Sequence, residues 1–313
     1  MTPLLEVVMY HYIRDLPRTP FPRIKGMLLD DFRRQVRELS QAFEMATLES
    51  ALAFLKGEYR PAKSLCLLTF DDGLKEHFSE VAPLLAESGI SGVFFLITSA
   101  VDDHRVAPVH MNHFLMAGLD FDVYRRAFLN ALETEYGVRE EACPVDMDTA
   151  RRTYPWDTPD VAPFKYLFNF LLAPETRDGI VRSLFERHIQ HESEFSQTLY
   201  LNWSEAREMQ AMGMVLGGHS HCHQPLALLN EAALQADVET CHSRLLKNLH
   251  VQISWPFCYP YGKRNSYSHN VIHHLKRAQY NCAFTTESGM AAPAIDLFEI
   301  ARVDCKYAGQ PLG

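Results

Sequence analysis

No run of apolar residues in this 313-residue chain approaches the roughly 18 needed to span a bilayer, so a transmembrane helix is not expected. No cluster of lysine or arginine occurs either. The 30 basic residues face 39 acidic ones, a net charge of −9, which argues against a phosphate-tracking nucleic-acid surface or a polybasic membrane patch. Cysteine is sparse: seven residues, an odd number, with no C-x-x-C pair. That pattern does not suit a disulfide framework and fits reduced thiols in a cytosol. The opening MTPLLEVVMYHYIRD lacks a basic flank before a long apolar core, and Glu6 interrupts it. It reads as a strand rather than a secretory leader, and a cytoplasmic location is expected. Glycine (15) and proline (17) are too few for a low-complexity chain, and no internal repeat is found. What remains is globular composition, long enough to build a full core.

The first hundred residues alternate strand and helix patterns. Glu6 to Tyr10 is short, apolar and β-branched. Asp30-Asp31 stand as candidate caps for a helix carrying Phe32, Val36 and Leu39. Residues 64–70 are continuously apolar, as expected of a strand buried on both faces. Helical spacing over 76–87 (Phe78, Val81, Leu84, Leu85) ends at Gly89, and Val93–Ile97 is the next strand. This rhythm predicts parallel βα units in a barrel-like or doubly wound α/β frame. It fails between about 102 and 198, where helical segments, punctuating prolines at Pro144, Pro155, Pro159, Pro163 and Pro174, and 17 acidic residues against 10 basic (counted over 101–200) suggest a mainly helical insertion. The frame resumes with helices at 203–212, 231–249 and 266–279 and strands at 214–216, 255–259, 281–284 and 297–303. The expectation is one domain, 1–313, with the insertion 102–198 inside it. His269, His273 and His274 read as solvated helix positions.

Two segments carry chemistry. Thr69-Phe70-Asp71-Asp72-Gly73 lies where a buried strand passes into a helix. Adjacent carboxylates there are costly unless they bind a cation or share catalytic work, and that end of a βα unit is where active sites gather. A plain Asp-Gly turn is the other reading. Gly217-Gly218-His219-Ser220-His221-Cys222-His223 follows a second short strand. Imidazole with carboxylate suits zinc, nickel, cobalt or iron(II). His219 and His223 converge if the chain turns; if the strand continues, His219, His221 and His223 share a face. A His-rich polar loop is the other reading.

Together the two segments resemble the polysaccharide deacetylase family, with its NodB homology domain and divalent-metal N-deacetylases of the carbohydrate esterase family 4 kind. The resemblance covers about 1–100 and 200–305 and leaves the insertion outside. It implies a distorted (β/α)7-type barrel. It makes Asp71 the general base and Asp72, His219 and His223 the ligands of one divalent metal ion, zinc first, with nickel, cobalt, iron or manganese as alternatives. Phe257-Cys258-Tyr259-Pro260-Tyr261-Gly262 resembles the family's aromatic-x-x-Pro-aromatic-Gly segment, which implies that the Tyr261 backbone N–H helps hold the oxyanion. Cys258 stands where many members carry an arginine that orients the base; Arg302 is the candidate replacement. The family's C-terminal general-acid histidine has no counterpart, since no histidine follows His274. Some members carry that acid on the first strand. Met9-Tyr10-His11-Tyr12 is similar to their version, which makes His11 the candidate acid; a strand-end histidine bonded to the backbone is the alternative.

These parts suffice to cut an amide. A three-ligand metal leaves room for water and a carbonyl oxygen, a carboxylate beside it takes a proton, and a histidine protonates the leaving amine. Trp255, Tyr259 and Tyr261 suit either a sugar platform or the core, and His110 and His113 either line the site or are structural. The expected activity is metal-dependent removal of an acetyl or formyl group from an amino sugar. The expected partner is an N-acylated sugar in an intracellular glycan precursor, either a sugar nucleotide or a lipid-linked sugar at the inner membrane face, with transient membrane association and an oligomer through the insertion both open. A metal amidohydrolase acting on a non-sugar amide or ureide and a non-catalytic sugar-binding protein are the alternatives.

Overall fold

A computed structural model describes residues 2–310. The chain divides into two compact units. The first takes in residues through 15, 25–104 and those from 197 on.

Its frame is a closed ring of seven parallel strands: β1 (Leu5–Tyr10), β2 (Leu65–Phe70), β3 (Gly92–Leu96), β4 (Val215–Gly218), β5 (Pro256–Cys258), β6 (Cys282–Ser288) and β7 (Ile300–Asp304). The ring closes because β1 pairs on one side with β2, Leu5 opposite Leu65 through Tyr10 opposite Phe70. On the other side it pairs with β7, Val8 opposite Val303. A two-residue strand, Glu44–Met45, also runs beside the start of β2. The architecture is thus the α/β barrel with seven strands.

Alternation explains where everything goes. All six residues of β2 are buried, but they serve two cores. Leu65 and Leu67 join Leu5, Val7, Val93, Phe95, Cys258, Phe284 and Ile300 in one cluster, to which the helix Leu48–Leu55 also contributes. Cys66, Leu68 and Phe70 join Phe32, Val36, Leu234, Val238 and Leu275 from the outer helices in the other. The first set is the barrel interior. Stepping by two along the inward faces leads from Leu67 to Thr69 and Asp71, from Val7 to Met9 and His11, and from Ile300 to Arg302. The polar members of these series therefore gather at the C-terminal mouth of the barrel.

Three local expectations are corrected. Asp30 and Asp31 do not cap their helix; it runs Leu29–Ala42 with Leu28 at the N-cap, and the two acids lie in the first turn, where the helix dipole favours them. The helix after β2 opens as a π-turn, His77–Val81, before Ala82–Glu87. The helix drawn over 266–279 is His269–Arg277, started by Ser268, whose side chain accepts the Val271 N–H.

The second unit holds residues 16–24 and 105–196. It is helical: Pro108–Gly118, Phe121–Tyr136, Met147–Thr153, Val161–Tyr166 with a π-turn at Leu167–Leu171, and Pro174–His188. Its core is aromatic, with Phe114, Tyr124, Phe128, Phe164, Phe168 and Phe185 buried. Phe21 joins it edge-on to Phe114, ring centroids 5.0 Å apart, which is how the short segment 16–24 is held to this unit. No helix among the described residues is long and apolar enough to cross a membrane.

Candidate active site

The mouth of the barrel collects Asp71, Asp72, His219, His223, Cys258 and Arg302, every one of them buried. Asp71 is the first residue past β2, and its N–H still donates to the Tyr10 carbonyl at 2.9 Å. Both its oxygens are taken by one guanidinium: Arg302 Nη1 and Nη2 donate to Oδ1 and Oδ2 at 2.8 Å each. Arg302 is itself fixed, its Nε donating to the Thr285 carbonyl at 2.7 Å and Nη1 to Thr69 Oγ1 at 3.2 Å. Burial pushes the Asp71 carboxyl up, but the Arg302 charge and its hydrogen bonds outweigh that and hold it at about 2. Asp71 is therefore ionised at neutral pH. Cys258 occupies the remaining space, Sγ 3.0 Å from Arg302 Nη2. Burial holds its thiol well above the usual range, so it stays protonated.

Asp72 turns away from Asp71 because its backbone is left-handed (φ 78°), followed by Gly73 at φ 63°. Its Oδ1 stands 3.5 Å from His219 Nε2 and 3.5 Å from His223 Nε2. Those distances are too long for good hydrogen bonds. They suit donors that share a cation, since ligands about 2.1 Å from a tetrahedral ion lie roughly 3.4 Å apart. His219 Nδ1 is 2.8 Å from the Cys258 carbonyl. A carbonyl can only accept, so Nδ1 carries the proton and Nε2 presents its lone pair toward Asp72 and His223. Burial also lowers the His219 pKa, keeping the ring neutral. The donor set thus fits a divalent metal ion. Asp71, His219 and Cys258 also lie within metal-ligand distance of one another. Arg302 already engages both oxygens of Asp71 and Cys258 is a thiol, so that second set is the poorer host.

The chain turns after Gly218, which resolves the open choice about the histidines. Ser220 (φ 63°) and His223 (φ 52°) are left-handed, a conformation that costs a non-glycine residue on the order of 1 kcal/mol or more and collects at functional sites. Ser220 Oγ accepts the His223 N–H at 2.8 Å and closes the turn. His221 points elsewhere, its Nδ1 2.9 Å from Thr98 Oγ1. Cys222 is exposed. Sequence reasoning missed the group that anchors this loop. Asp237 accepts the N–H of His221 on Oδ1 and of Cys222 on Oδ2, both at 2.9 Å. Its signal was present: Leu234, Asp237, Val238 and Cys241 follow helical spacing, which sets an acid inside an apolar stripe of the helix Glu231–Asn248.

His11 follows β1. Its ring is 43% exposed, with Nε2 3.6 Å from Asp71 Oδ2. Its carbonyl is met by His77 Nε2 at 2.9 Å, a buried histidine that the sequence pattern did not single out. Tyr261 is left-handed (φ 63°), with its ring 5.4 Å from that of His223. The other aromatic candidates lie away from this cluster. Tyr259 is core, stacked on Tyr267 at 4.4 Å with its hydroxyl on the Phe298 carbonyl. Trp255 precedes β5, at the opposite end of the barrel. His110 is buried in the helical unit. His274 is not solvated as expected: it is 3% exposed and its Nε2 lies 2.8 Å from Glu231 Oε1.

Comparison with known proteins agrees with this geometry. The sequence model of the family described as "Polysaccharide deacetylase" matches residues 58–128 and 181–283. Among curated proteins no sequence matches. Among solved structures, the chain is similar to the Streptococcus pyogenes deacetylase PplD, solved in complex with acetate, with a TM-score of 0.60 at 15% identity over 97% of this chain and 93% of that one. It is also similar to IcaB from Ammonifex degensii (0.56, 18%, 96% and 91%). The deacetylase domain of BpsB from Bordetella bronchiseptica gives 0.56 at 19% over 95% and 94%. At these identities the likeness establishes the fold.

Proposed function

Since this chain belongs to the polysaccharide deacetylase family, we propose that it is a metal-dependent hydrolase that removes an N-acyl group, acetyl or formyl, from an amino sugar. The substrate proposed is an intracellular or lipid-linked glycan precursor; 39 acidic residues against 30 basic argue against gripping an extended polyanion. One observation carries the reading: a carboxylate locked in its ionised form by Arg302 stands beside a buried Asp72, His219 and His223 whose donor atoms converge.

Asp72, His219 and His223 would hold the metal, zinc first among zinc, nickel, cobalt, iron and manganese. When bound, it supplies Lewis acidity toward a water molecule and the acyl oxygen. Asp71 takes the proton of the attacking water, and Arg302 keeps its carboxylate oriented for that transfer. The Tyr261 backbone N–H is the donor proposed for the oxyanion. His11, exposed and close to Asp71, delivers a proton to the leaving amine, which cannot depart as an anion.

The test pairs elemental analysis with product release. Wild-type protein is expected to carry about one first-row metal per chain, which Asp72→Ala and His219→Ala each lose, and to release acetate or formate from a panel of N-acylated sugars. A wild-type protein that stays metal-free after reconstitution and releases neither product would overturn the proposal.

A further inference from the structure

We propose that His77 is a positioning residue for this reaction: its imidazole pins the backbone of His11 and so fixes where the His11 ring stands against Asp71. The inference rests on the reading of His11 as the general acid.

His11 lies one residue beyond the end of β1, where the barrel ladder stops. The carbonyls on either side of it are held by backbone. Tyr10 O accepts the Asp71 N–H, and Tyr12 O accepts the Met27 N–H, both at 2.9 Å. The His11 carbonyl is held instead by a side chain, His77 Nε2 at 2.9 Å. A carbonyl only accepts, so Nε2 carries the proton. Burial lowers the pKa of this ring, which leaves Nε2–H as its one donor, spent on His11.

The surroundings of His77 would suit a phenylalanine. Its ring packs against Phe70 and Phe94, each with centroids 5.7 Å away. It is fully buried, and no protein group among the described residues meets its Nδ1. A buried imidazole with one nitrogen unmet costs stability that an apolar ring would not. Such a departure from good packing is typical of residues kept for function.

The backbone is also shaped for the contact. His77 opens the π-turn His77–Val81, an irregularity that recurs at functional sites. The residue before it makes a second tie to the same segment: Glu76 Oε1 accepts from Arg14 Nε at 2.8 Å. Adjacent residues of one turn thus grip both ends of 11–14, just after the strand that delivers Asp71 and Asp72. The base, a metal ligand and the tether of the acid come from one stretch of nine residues, 69–77.

The test compares wild type with His77→Phe, His77→Gln and His11→Ala. Phenylalanine fills the aromatic site without a donor; glutamine restores an N–H at the reach of Nε2. On the N-acylated sugar turned over best in the panel above, His77→Phe is expected to lose roughly 10- to 100-fold in kcat with little change in KM. Its melting temperature and metal content should match or exceed those of wild type, and His77→Gln should recover most of the loss. Hydrogen exchange of the peptide covering 9–15 should rise in His77→Phe and return in His77→Gln, a readout that needs no substrate. Unchanged kcat and unchanged exchange in His77→Phe would overturn the positioning role. Full activity in His11→Ala would instead overturn the reading of His11, whatever His77 does.

Discussion

Asp71 and Arg302 form a fully buried ion pair with two parallel hydrogen bonds, so removing either partner strands a charge in the barrel. Arg302→Met is expected to destabilise the fold by about 3–5 kcal/mol in urea unfolding, because Asp71 then lacks its counter-charge. Arg302→Lys keeps the charge but loses the planar fork; it should be less destabilised and still lose most of kcat, since a lysine cannot fix both carboxylate oxygens. Cys258 makes the arrangement possible. A thiol is small enough to leave the guanidinium room to reach Asp71 from β7. Asp237 acts at one remove. It holds the N–H groups of His221 and Cys222, between the two proposed histidine ligands. Asp237→Asn presents an amide N–H to one of those donors. It is expected to weaken zinc binding by roughly 10- to 100-fold in competition with a chromogenic chelator, while leaving the ligands themselves in place.

At the scale of the element, the short strand β4 delivers the histidine loop, and its glycines are required by contact. A Cβ on Gly217 would lie 2.5 Å from the Pro256 carbonyl oxygen, a backbone atom of the neighbouring strand that cannot swing away. Gly217→Ala should therefore cost roughly 1–3 kcal/mol by thermal or urea unfolding. Because β4 must shift to accept the methyl group, the same variant should bind zinc more weakly. The two helices flanking the loop contribute differently. Thr98–Asp102 gives the Ser99 N–H to the His221 carbonyl, whereas Glu231–Asn248 gives the carboxylate of Asp237. The loop is thus clamped at both its donors and its acceptors, which is what left-handed residues at Ser220 and His223 need in order to persist.

At the scale of the whole molecule, metal binding and folding should be linked. Asp72, His219 and His223 come from two strands far apart in the chain and converge only in the folded barrel. A metal that binds the folded state alone raises stability by about 2.7 kcal/mol at a concentration 100 times its Kd. Treatment with a chelator is expected to lower the melting temperature, and added zinc to restore it in wild type but not in Asp72→Ala. Glu6 supplies a separate pH dependence. It is buried in β1, accepts the Gly309 N–H, and has a pKa raised by burial, partly offset by that bond. A raised carboxyl pKa means the folded state holds the proton more tightly than the unfolded chain. That contribution is present below the unfolded pKa and is lost as pH rises through the folded one. Glu6→Gln should raise the melting temperature at pH 7 and change it little near pH 4.

Much of this protein could be read from local pattern, because the relevant physics is local. A strand buried on both faces has to be apolar along most of its length, so residues 64–70 announced β2 and, at its end, the two aspartates. The spacing of His219 and His223 was equally visible, but whether they converge depended on a turn that Gly217-Gly218 permit and do not dictate. The π-turn at His77 and the N-cap at Leu28 escaped, since both are settled by packing rather than by propensity. Alternation along each strand determined which residues face inward. Only closure of the ring, β1 against both β2 and β7, decided that Arg302 reaches Asp71 from 231 positions away. Only helix packing decided that Asp237 clamps the histidine loop and that His77 meets His11. Residue type and period are carried by neighbours in the chain; partners across the barrel are chosen by the cost of leaving a buried charge or donor alone, and that cost exists only once the fold has removed water.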